Sequence, residues 1–480
     1  MVFSSIIFLF GFLPLVLILY YILNAKIRNA FLLIASLFFY YWGEPKFVLV
    51  MILSIVWNYL SALILDRLTV YCSEKRLLKK VILFISILGS LSLLYYFKYF
   101  DFSVKLLNQA FHLELAVKNI VLPIGISFFT FQGLSYVVDV YREDVKAQRN
   151  IIKLGMYIAL FPQLIAGPIV RYVDIAKEID HRAVTLDDFY EGIKRFTFGL
   201  SKKVILSNPL AYQVDLIFAQ NPANLEMSTA WLGAILYALQ IYFDFSGYSD
   251  MAIGLGRMFG FTFLENFNLP YIATSIQDFW RRWHISLSSW FRDYVYIPLG
   301  GNRRGNVYCN LMIVFFLTGL WHGASLNFVV WGLWHGCFQL IERVLRERNS
   351  VLLRDRLPVY GMVLRRLYTG MVVLIGWVFF RADNLHNALE YLKVMFGLSR
   401  ADAVFFHTMY YLDNFTLFVL ITAIIFSTDL PQMLQNQARK TALGKHLHPA
   451  LTSVAIIMLL MVSAVMVMAS SYNPFIYFRF

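Results

Sequence analysis

A succession of apolar segments, several of them long enough to cross a lipid bilayer, runs through this 480-residue chain. Hydrophobic residues make up 59% of it and charged residues only 15%. A soluble domain carries roughly a quarter of charged residues, whereas a spanning helix needs about 20 apolar residues. The apolar runs are continuous rather than alternating, which argues against a β-barrel. The sequence therefore predicts an all-α polytopic membrane protein, expected to form one integral-membrane domain over residues 1–480.

Candidate spans are numerous and predict about ten to twelve spanning helices, together with re-entrant pieces. They are 2–23, 31–42 with its continuation, 47–65, 81–97, 120–140, 151–170, 196–218, 229–258 (one or two elements), 311–340 (broken), 367–381, 412–428 and 450–470. The first has no basic residue before it and no cleavage site after it, so we expect a retained helix rather than a signal peptide.

The formal net charge of +13 is expected to reflect basic cytoplasmic loops and not nucleic-acid binding. The loops 24–30 and 66–80 and the arginine-rich stretch 343–366 are predicted to face the cytoplasm, which puts the N-terminus outside. Residues 174–203 are polar and mixed in charge. They predict an amphipathic surface segment with Lys202 and Lys203 at lipid headgroups.

Two apolar stretches contain helix breakers. Residues 161–168 read Phe-Pro-Gln-Leu-Ile-Ala-Gly-Pro, and 121–125 read Val-Leu-Pro-Ile-Gly. Irregular backbone at membrane depth is tolerated only where it is buried in protein or lines a wet cavity. We therefore expect both stretches to be enclosed.

A histidine lies at the end of an apolar run, in Gly-Leu-Trp-His-Gly at 319–323. A histidine at that depth is costly to keep and marks a candidate functional site, although hydrogen bonding across helices is the structural alternative. A neutral imidazole can take a proton from an attacking hydroxyl, so His322 is a candidate catalytic base. The motif recurs at 332–336 with His335. On one helix the two histidines would differ by about 20 Å in height, so they share a site only if the helix breaks near Gly323.

A second deep histidine, His284, follows Trp280, Arg281, Arg282 and Trp283. Arginines beside aromatic rings often anchor a protein at the membrane interface. Alternatively, Arg281 and Arg282 hold an anionic group, such as the phosphates of coenzyme A, through forked charge-assisted bonds. His284 would then orient the donor or the acceptor hydroxyl.

Two aspartates, Asp244 and Asp250, lie in an otherwise apolar run and need partners. We expect them to pair with Arg257 or with the pair Arg281–Arg282 and to have a structural role.

The run Gly-Gly-Asn-Arg-Arg-Gly at 300–305 predicts a turn. Its glycines can bring backbone N–H groups near a phosphate, but a plain basic loop is the favoured interpretation. No HExxH motif occurs, and the spacing of His284, His322 and His335 gives no support for a metal site. Three scattered cysteines without a CxxC pair indicate no disulfide framework.

Several of these runs, with others, resemble the membrane-bound O-acyltransferase family of the bacterial alginate O-acetyltransferase type. They are Met1-Val2-Phe3-Ser4-Ser5, Pro123-Ile124-Gly125-Ile126-Ser127-Phe128, Leu164-Ile165-Ala166-Gly167-Pro168, Tyr242-Phe243-Asp244-Phe245-Ser246-Gly247-Tyr248-Ser249-Asp250, Glu265-Asn266-Phe267-Asn268, Phe279-Trp280-Arg281-Arg282-Trp283-His284-Ile285-Ser286-Leu287-Ser288, Trp290-Phe291-Arg292-Asp293-Tyr294, Leu299-Gly300-Gly301-Asn302-Arg303, Gly319-Leu320-Trp321-His322-Gly323 and Pro474-Phe475-Ile476-Tyr477-Phe478. The resemblance runs nearly end to end.

The resemblance implies a ring of transmembrane helices around a thin centre, with a funnel that reaches the active-site histidine. His322 matches that histidine, and His284 matches the family's second functional histidine. It also implies an O-acyltransferase without a bound cofactor, in the bacterial inner membrane, that passes acetyl groups from cytoplasmic acetyl-CoA. Periplasmic partners of the serine-esterase-like class would place them on a polysaccharide. The D-alanyl transfer branch shares both histidines, but 298–303 looks like the polysaccharide acetylation branch.

The acceptor stays open, because alginate, cellulose, other exopolysaccharides and peptidoglycan all have related acetylation systems. Two other functions compete with the enzyme. Broken helices and intramembrane charges are also found in transporters, but no inverted repeat is visible here. A scaffold of polysaccharide export would leave His284 and His322 unexplained.

Overall fold

The structure, a computed structural model, describes residues 1–71, 76–348, 360–399, 403–440, 442–470 and 472–476. Over these ranges the regular structure is helical and contains no β-strand, which confirms the all-α prediction. The chain packs as two compact units, Met1–Phe196 with Ser249–Leu264 and Thr197–Tyr248 with Glu265–Phe480. The single acyltransferase domain over 1–480 stays a prediction.

The first unit consists of helices and short helical turns in sequence order. They are Ile7–Phe12, Leu13–Ile22, Arg28–Gly43, Pro45–Phe47, Val48–Tyr71, Arg76–Leu94, Tyr95–Tyr99, Phe100–Phe111, Ile126–Arg142, Ile151–Ala159, Phe161–Leu164, Tyr172–Asp180 and most of Leu186–Ser201, with the last turns of Met227–Met258. The pairs Val48–Tyr71 with Ile126–Arg142 and Arg28–Gly43 with Ile151–Ala159 make extensive contacts.

The second unit contains the remaining elements. They are Lys202–Ser207, Asn208–Phe218, Pro222–Asn224, Met227–Met258 as far as Tyr248, Pro270–Ile272, Ile276–Arg282, Ile285–Phe291, Arg292–Tyr296, Val307–His322, Leu326–Arg348, Tyr360–Arg381, Leu385–Met395, Thr408–Tyr411, Asn414–Phe426, Leu430–Ala438 and Ala442–Ala469. Its most extensive helix–helix contact joins Val307–His322 to Leu326–Arg348, and Tyr360–Arg381 packs against the latter.

Several helices have the length and apolar composition of membrane spans. Among the described residues four qualify, Pro45–Val70, Arg76–Phe111, Gly361–Arg381 and Ala450–Ala469, and Asn414–Phe426 with Leu430–Gln437 adds a fifth if that pair, bent by 69°, is one span. The protein is thus a polytopic membrane protein. The ten to twelve spans expected from sequence stay a prediction. Shorter apolar helices, such as Ile7–Ile22, are too short to be counted among these spans by length alone.

The helix breakers in 161–168 interrupt the predicted span 151–170. The helix Ile151–Ala159 ends there, and a single turn, Phe161–Leu164, follows. Pro162 and Gln163 are both buried, and the Gln163 side-chain amide donates to the Tyr157 carbonyl oxygen at 2.6 Å. The expectation that this irregular backbone is enclosed by protein is confirmed.

Lys203 is not at the membrane surface, which corrects the prediction from sequence. Its Nζ lies 2.6 Å from Asp244 Oδ1, and the two side chains are 3% and 2% exposed. A charge inside a low-dielectric interior is retained when a partner neutralises it. Lys203 Nζ also donates to the Pro474 carbonyl oxygen, and the Ile476 N–H donates to Asp244 Oδ2 at 3.0 Å. This ion pair therefore holds the segment before the C-terminus.

The predicted partners of the two aspartates were wrong. Asp244 pairs with Lys203, and Asp250 pairs with Arg195 at 2.7 Å. Neither Arg257 nor the pair Arg281–Arg282 supplies these contacts. The sequence could not show this, because Lys203 lies far from Asp244 along the chain and was assigned to an exposed segment.

Candidate active site

The helix that carries His322 ends at that residue. Gly323 has an extended backbone (φ −168°, ψ 151°), and the next helix begins at Leu326. A Cβ atom on Gly323 would collide with the Phe328 ring, so a larger residue here would force that ring to move. The break that the sequence suggested near Gly323 is present, and it leaves His322 buried at a helix end with 6% of its surface exposed.

His284 sits in a strained backbone between two short helices. Its φ of 45° and ψ of 54° are left-handed, and the helices Ile276–Arg282 and Ile285–Phe291 flank it. Such a conformation costs a non-glycine residue of order 1–3 kcal/mol and persists where the surroundings enforce it. The side chain is completely buried. His284 thus combines a costly backbone conformation with a fully buried imidazole.

Asn266 fixes the orientation of the His284 ring. Its Oδ1 accepts the Ser286 backbone N–H at 3.2 Å and the Ser286 hydroxyl at 2.9 Å, and it lies 3.1 Å from His284 Nδ1. Because a backbone N–H can only donate, this atom is the amide oxygen, and His284 Nδ1 must carry the proton. The other nitrogen, Nε2, is then the unprotonated acceptor, and it has no hydrogen-bond partner among the described residues.

The two predicted histidines lie side by side. The His284 and His322 ring centroids are 6.5 Å apart, so a group of a few atoms can contact both. Trp321 lies against both rings, with centroids 5.8 Å from His284 and 4.8 Å from His322. Phe245 closes the His284 side at 4.6 Å. In such an apolar enclosure an imidazole that stays neutral can accept a proton from a hydroxyl.

Two further aromatic rings contact His322. Trp331 and Phe380 lie 4.9 and 5.1 Å from its centroid. Trp331 belongs to the helix Leu326–Arg348 and Phe380 to Tyr360–Arg381. Water has little access to such a pocket, which strengthens electrostatic interactions inside it.

His335, from the second copy of the motif, belongs to a different environment. Trp331 separates it from His322, at 5.3 Å from His335 and 4.9 Å from His322. Trp280 and Phe279 complete an aromatic box at 5.4 and 6.1 Å. Neither ring nitrogen of His335 has a hydrogen-bond partner among the described residues. This histidine packs behind the candidate active site and does not enter it.

The structure places the two candidate phosphate ligands outside the histidine pair. Arg281 is exposed, whereas Arg282 pairs with Asp278 at 2.9 Å and donates to the Asn268 carbonyl oxygen at 3.3 Å. Their role as phosphate ligands stays a prediction.

Three residues of the site escaped the sequence reasoning. Asn266 is uncharged and belongs to no catalytic motif, although it lies in the run Glu265-Asn266-Phe267-Asn268, which supported the resemblance. Trp331 and Phe380 looked like ordinary apolar residues of spanning helices. Only contacts between distant segments of the chain reveal them.

Comparison with known proteins adds family information. The sequence model of the membrane-bound O-acyltransferase family matches residues 17–368. The chain is 41% identical to the probable alginate O-acetylase AlgI of Pseudomonas putida, with all of both chains covered. It is 33% identical to a peptidoglycan O-acetyltransferase of Helicobacter pylori, covering 100% of this chain and 98% of the relative. A teichoic acid D-alanyltransferase of Bacillus subtilis is 31% identical over 44% of this chain and 57% of its own.

Proposed function

Because this chain belongs to the membrane-bound O-acyltransferase family, we propose that it O-acetylates an exopolysaccharide such as alginate. The acetyl group comes from cytoplasmic acetyl-CoA and crosses the bacterial inner membrane. The chain spans this membrane several times. The observation that carries the proposal is the buried pair His284 and His322, with ring centroids 6.5 Å apart, in a chain similar over its full length to alginate O-acetylases.

Acetyl transfer from a thioester to a hydroxyl needs a general base in a site that excludes water. The acceptor hydroxyl oxygen attacks the thioester carbonyl carbon, the C–S bond breaks, and the hydroxyl proton passes to the His322 imidazole and on to the thiolate. His284, held by Asn266 with Nε2 as acceptor, orients the hydroxyl or the acyl group. The charged coenzyme and the extracellular sugar stay on opposite sides, and only the acetyl group crosses.

Delivery to the polymer requires further proteins. We expect periplasmic partners of the serine-esterase-like class to receive the acetyl group and place it on the polysaccharide. An acceptor other than alginate is the second candidate, because a peptidoglycan O-acetyltransferase matches the chain over its whole length. Cellulose O-acetylation would use the same chemistry.

The test measures ester-linked acetate on the cell-surface polysaccharide. A deletion strain would carry the wild type, His322→Ala or His284→Ala, with the amount of each protein in the membrane measured in parallel. We expect His322→Ala to abolish the acetate at a normal protein level and His284→Ala to lower it strongly. The acetylated sugar identifies the acceptor.

A wild-type acetate content in the His322→Ala strain would overturn the proposal. His322 would then have a structural role, and the transporter and the scaffold of polysaccharide export would replace the acyltransferase as the candidate functions.

A further inference from the structure

The turn after His322 is tied to a buried side chain, that of Asn327. Residues 323–325 form this turn, because one helix ends at His322 and the next begins at Leu326. Asn327 lies in the first turn of that second helix and is buried. Its Oδ1 accepts the hydroxyl group of Ser325, the residue that closes the turn. Fixing Ser325 in this way restricts where His322 can lie.

The same side chain also reaches the end of the helix Tyr360–Arg381. Asn327 Nδ2 donates to the carbonyl oxygens of Phe379 and Ala382, at 3.2 and 2.8 Å. The last carbonyl groups of a helix have no partner within the helix, and leaving a buried acceptor unpaired is costly. Asn327 therefore satisfies two acceptors at this helix end and joins them to the turn after His322.

The neighbours of the Asn327 amide settle its orientation. A carbonyl oxygen can only accept, so the atom that faces Phe379 and Ala382 must be the NH2 group. The amide oxygen then remains for the Ser325 hydroxyl. A hydrocarbon side chain of the same size would supply none of these three hydrogen bonds. A carboxylate would place a negative oxygen against two carbonyl oxygens, which repel it.

Both segments that Asn327 joins adjoin His322. One is the turn that follows this histidine directly. The other carries Phe380, whose ring centroid lies 5.1 Å from that of His322. The Phe328 ring lies between the two segments, since it packs against Phe380 at 5.0 Å and lies beside Gly323. A change at Asn327 would therefore reach His322 through the turn and through Phe380.

We propose that Asn327 is a positioning residue for His322. It acts through the turn 323–325 and through Phe380, and it keeps the His322 ring beside that of His284, with 6.5 Å between the centroids. A general base works only within hydrogen-bond reach of the proton that it takes, and a displacement of about 1 Å can lower a rate by about 100-fold. This inference rests on the proposed function, in which His322 is the base.

The test is steady-state transfer of acetate from labelled acetyl-CoA in isolated membranes, with the amount of the full chain and its melting temperature measured for each variant. Asn327→Leu removes all three hydrogen bonds at similar size. We expect its kcat to fall about 10- to 100-fold, because the base is displaced. The KM for acetyl-CoA should change by less than about twofold, as for an interaction that matters only in the transition state.

Two conservative variants grade the effect. Asn327→Gln keeps the amide on a longer side chain and should recover part of the rate that Asn327→Leu loses. Ser325→Ala removes one hydrogen bond of the three and should lower kcat by less than about tenfold. A side chain that only fills space would give no such order, because neither variant creates a cavity as large as the loss of a whole side chain would.

A second buried amide separates positioning from a general loss of stability. Asn58 is buried in the helix Val48–Tyr71, and its Nδ2 donates to the Ser54 carbonyl oxygen at 2.8 Å. It belongs to the first unit, whereas the two histidines belong to the second. Asn58→Leu is the matched control. It should lower the melting temperature, as Asn327→Leu does, and keep kcat within about twofold of the wild type.

Three outcomes would overturn the inference. One is a wild-type kcat in Asn327→Leu, another is a raised KM at unchanged kcat, and the third is an equal loss of kcat in Asn58→Leu. Should Asn327→Leu fail to reach the membrane, Asn327→Gln and Ser325→Ala decide, and a wild-type kcat in both would overturn it. If the inference fails while His322→Ala still abolishes acetylation, only the role of Asn327 is wrong. If His322→Ala acetylates normally, the proposed function itself is wrong.

Discussion

The two copies of Gly-Leu-Trp-His-Gly, at 319–323 and 332–336, are identical in sequence and different in structure. In the first, the helix ends at the histidine, and the chain turns back through an extended Gly323. The second lies inside the continuous helix Leu326–Arg348. His322 consequently faces His284, while His335 faces a box of aromatic rings. The position of a histidine relative to a helix end decides its environment, and the motif alone does not.

The first glycines of the two copies have the same structural role, which is to let two helices pack closely. Gly319 and Gly332 lie against each other where the helices Val307–His322 and Leu326–Arg348 approach, and a Cβ on Gly332 would lie 3.1 Å from Gly319 Cα. Small residues allow membrane helices to pack closely. The duplication therefore builds a tight helix pair, and the chemistry belongs to the copy that ends its helix.

Exchanging each histidine for glutamine should give the largest difference between the copies. His322→Gln removes a base that is worth roughly 10²- to 10⁴-fold in rate, so acetyl transfer should fall by that factor. His335→Gln should keep the rate within the same order of magnitude, because this ring does not reach the site. The measurement is acetate transferred per amount of protein in isolated membranes.

Equal losses in the two variants, at equal protein levels, would show that the motif acts as one unit. The separation by Trp331 would then have no functional meaning.

A buried charge that has a partner provides the next contrast with His335, which has no hydrogen-bond partner in the described ranges. Lys203→Met leaves Asp244 buried and unpaired, so the free energy of unfolding should fall by about 3–5 kcal/mol. Lys153→Met is the matched control. It breaks a half-exposed pair with Asp180 and should cost only about 0–1 kcal/mol. Thermal unfolding in detergent measures both.

The double variant Lys203→Met with Asp244→Leu removes both charges and should recover part of the loss. A double variant less stable than Lys203→Met alone would mean that the contacts to Pro474 and Ile476 matter more than the charge pair.

Asn266 gives His284 a polar partner, whereas His335 has none among the residues that the structure describes. Asn266→Leu removes the oxygen that accepts from His284 Nδ1 and from Ser286. Transfer should fall about 10- to 100-fold, as for other hydrogen-bonding partners of functional histidines. Asn266→Asp keeps an acceptor oxygen and should lose less. Identical rates in the two variants, at equal membrane levels, would mean that Asn266 only fills space.

The helical class and the enclosure of 161–168 followed from the sequence, because apolar length and helix breakers act locally, whereas the expected enclosure of 121–125 was wrong at Val121, which is 66% exposed. The partners of buried charges did not follow. Lys203 looked like a headgroup ligand, since composition near it is mixed and its partner Asp244 lies on another helix. Burial of a single charge depends on contacts between distant segments, which local patterns do not contain.

For the site, the histidines themselves could be chosen from their cost in apolar surroundings. That they lie side by side was not predicted, because spacing along the chain does not fix a distance in space. A helix break near Gly323 was stated as the condition for His322 and His335 to share a site. The break is present, but the two histidines lie in different environments. Asn266 and Trp331 were missed, because an amide and an indole in such a chain are common and acquire a role only through their neighbours.

Gly332→Ala tests the close approach of the two helices at Gly319 and Gly332. Its Cβ would meet the Phe315 carbonyl oxygen and Gly319, so the helices must separate, at a cost of about 1–3 kcal/mol. Gly370→Ala, inside Tyr360–Arg381, is the matched control. No atom lies within 4 Å of its Cβ position, and it should be neutral or stabilising by up to about 1 kcal/mol. Similar melting temperatures of the two variants would contradict the close helix approach.

His335→Leu should have the smallest effect and the opposite sign. Both ring nitrogens lie among aromatic rings without a hydrogen-bond partner in the described part of the chain, and a polar group buried in this way destabilises. An apolar side chain of similar size should leave the free energy of unfolding unchanged or raise it by about 1 kcal/mol. His284→Leu is the contrast, since it strips a donor from Asn266 and should lower the melting temperature. A marked loss of stability in His335→Leu would show that the aromatic box holds a polar contact after all, and that the two copies are more alike than their backbones indicate.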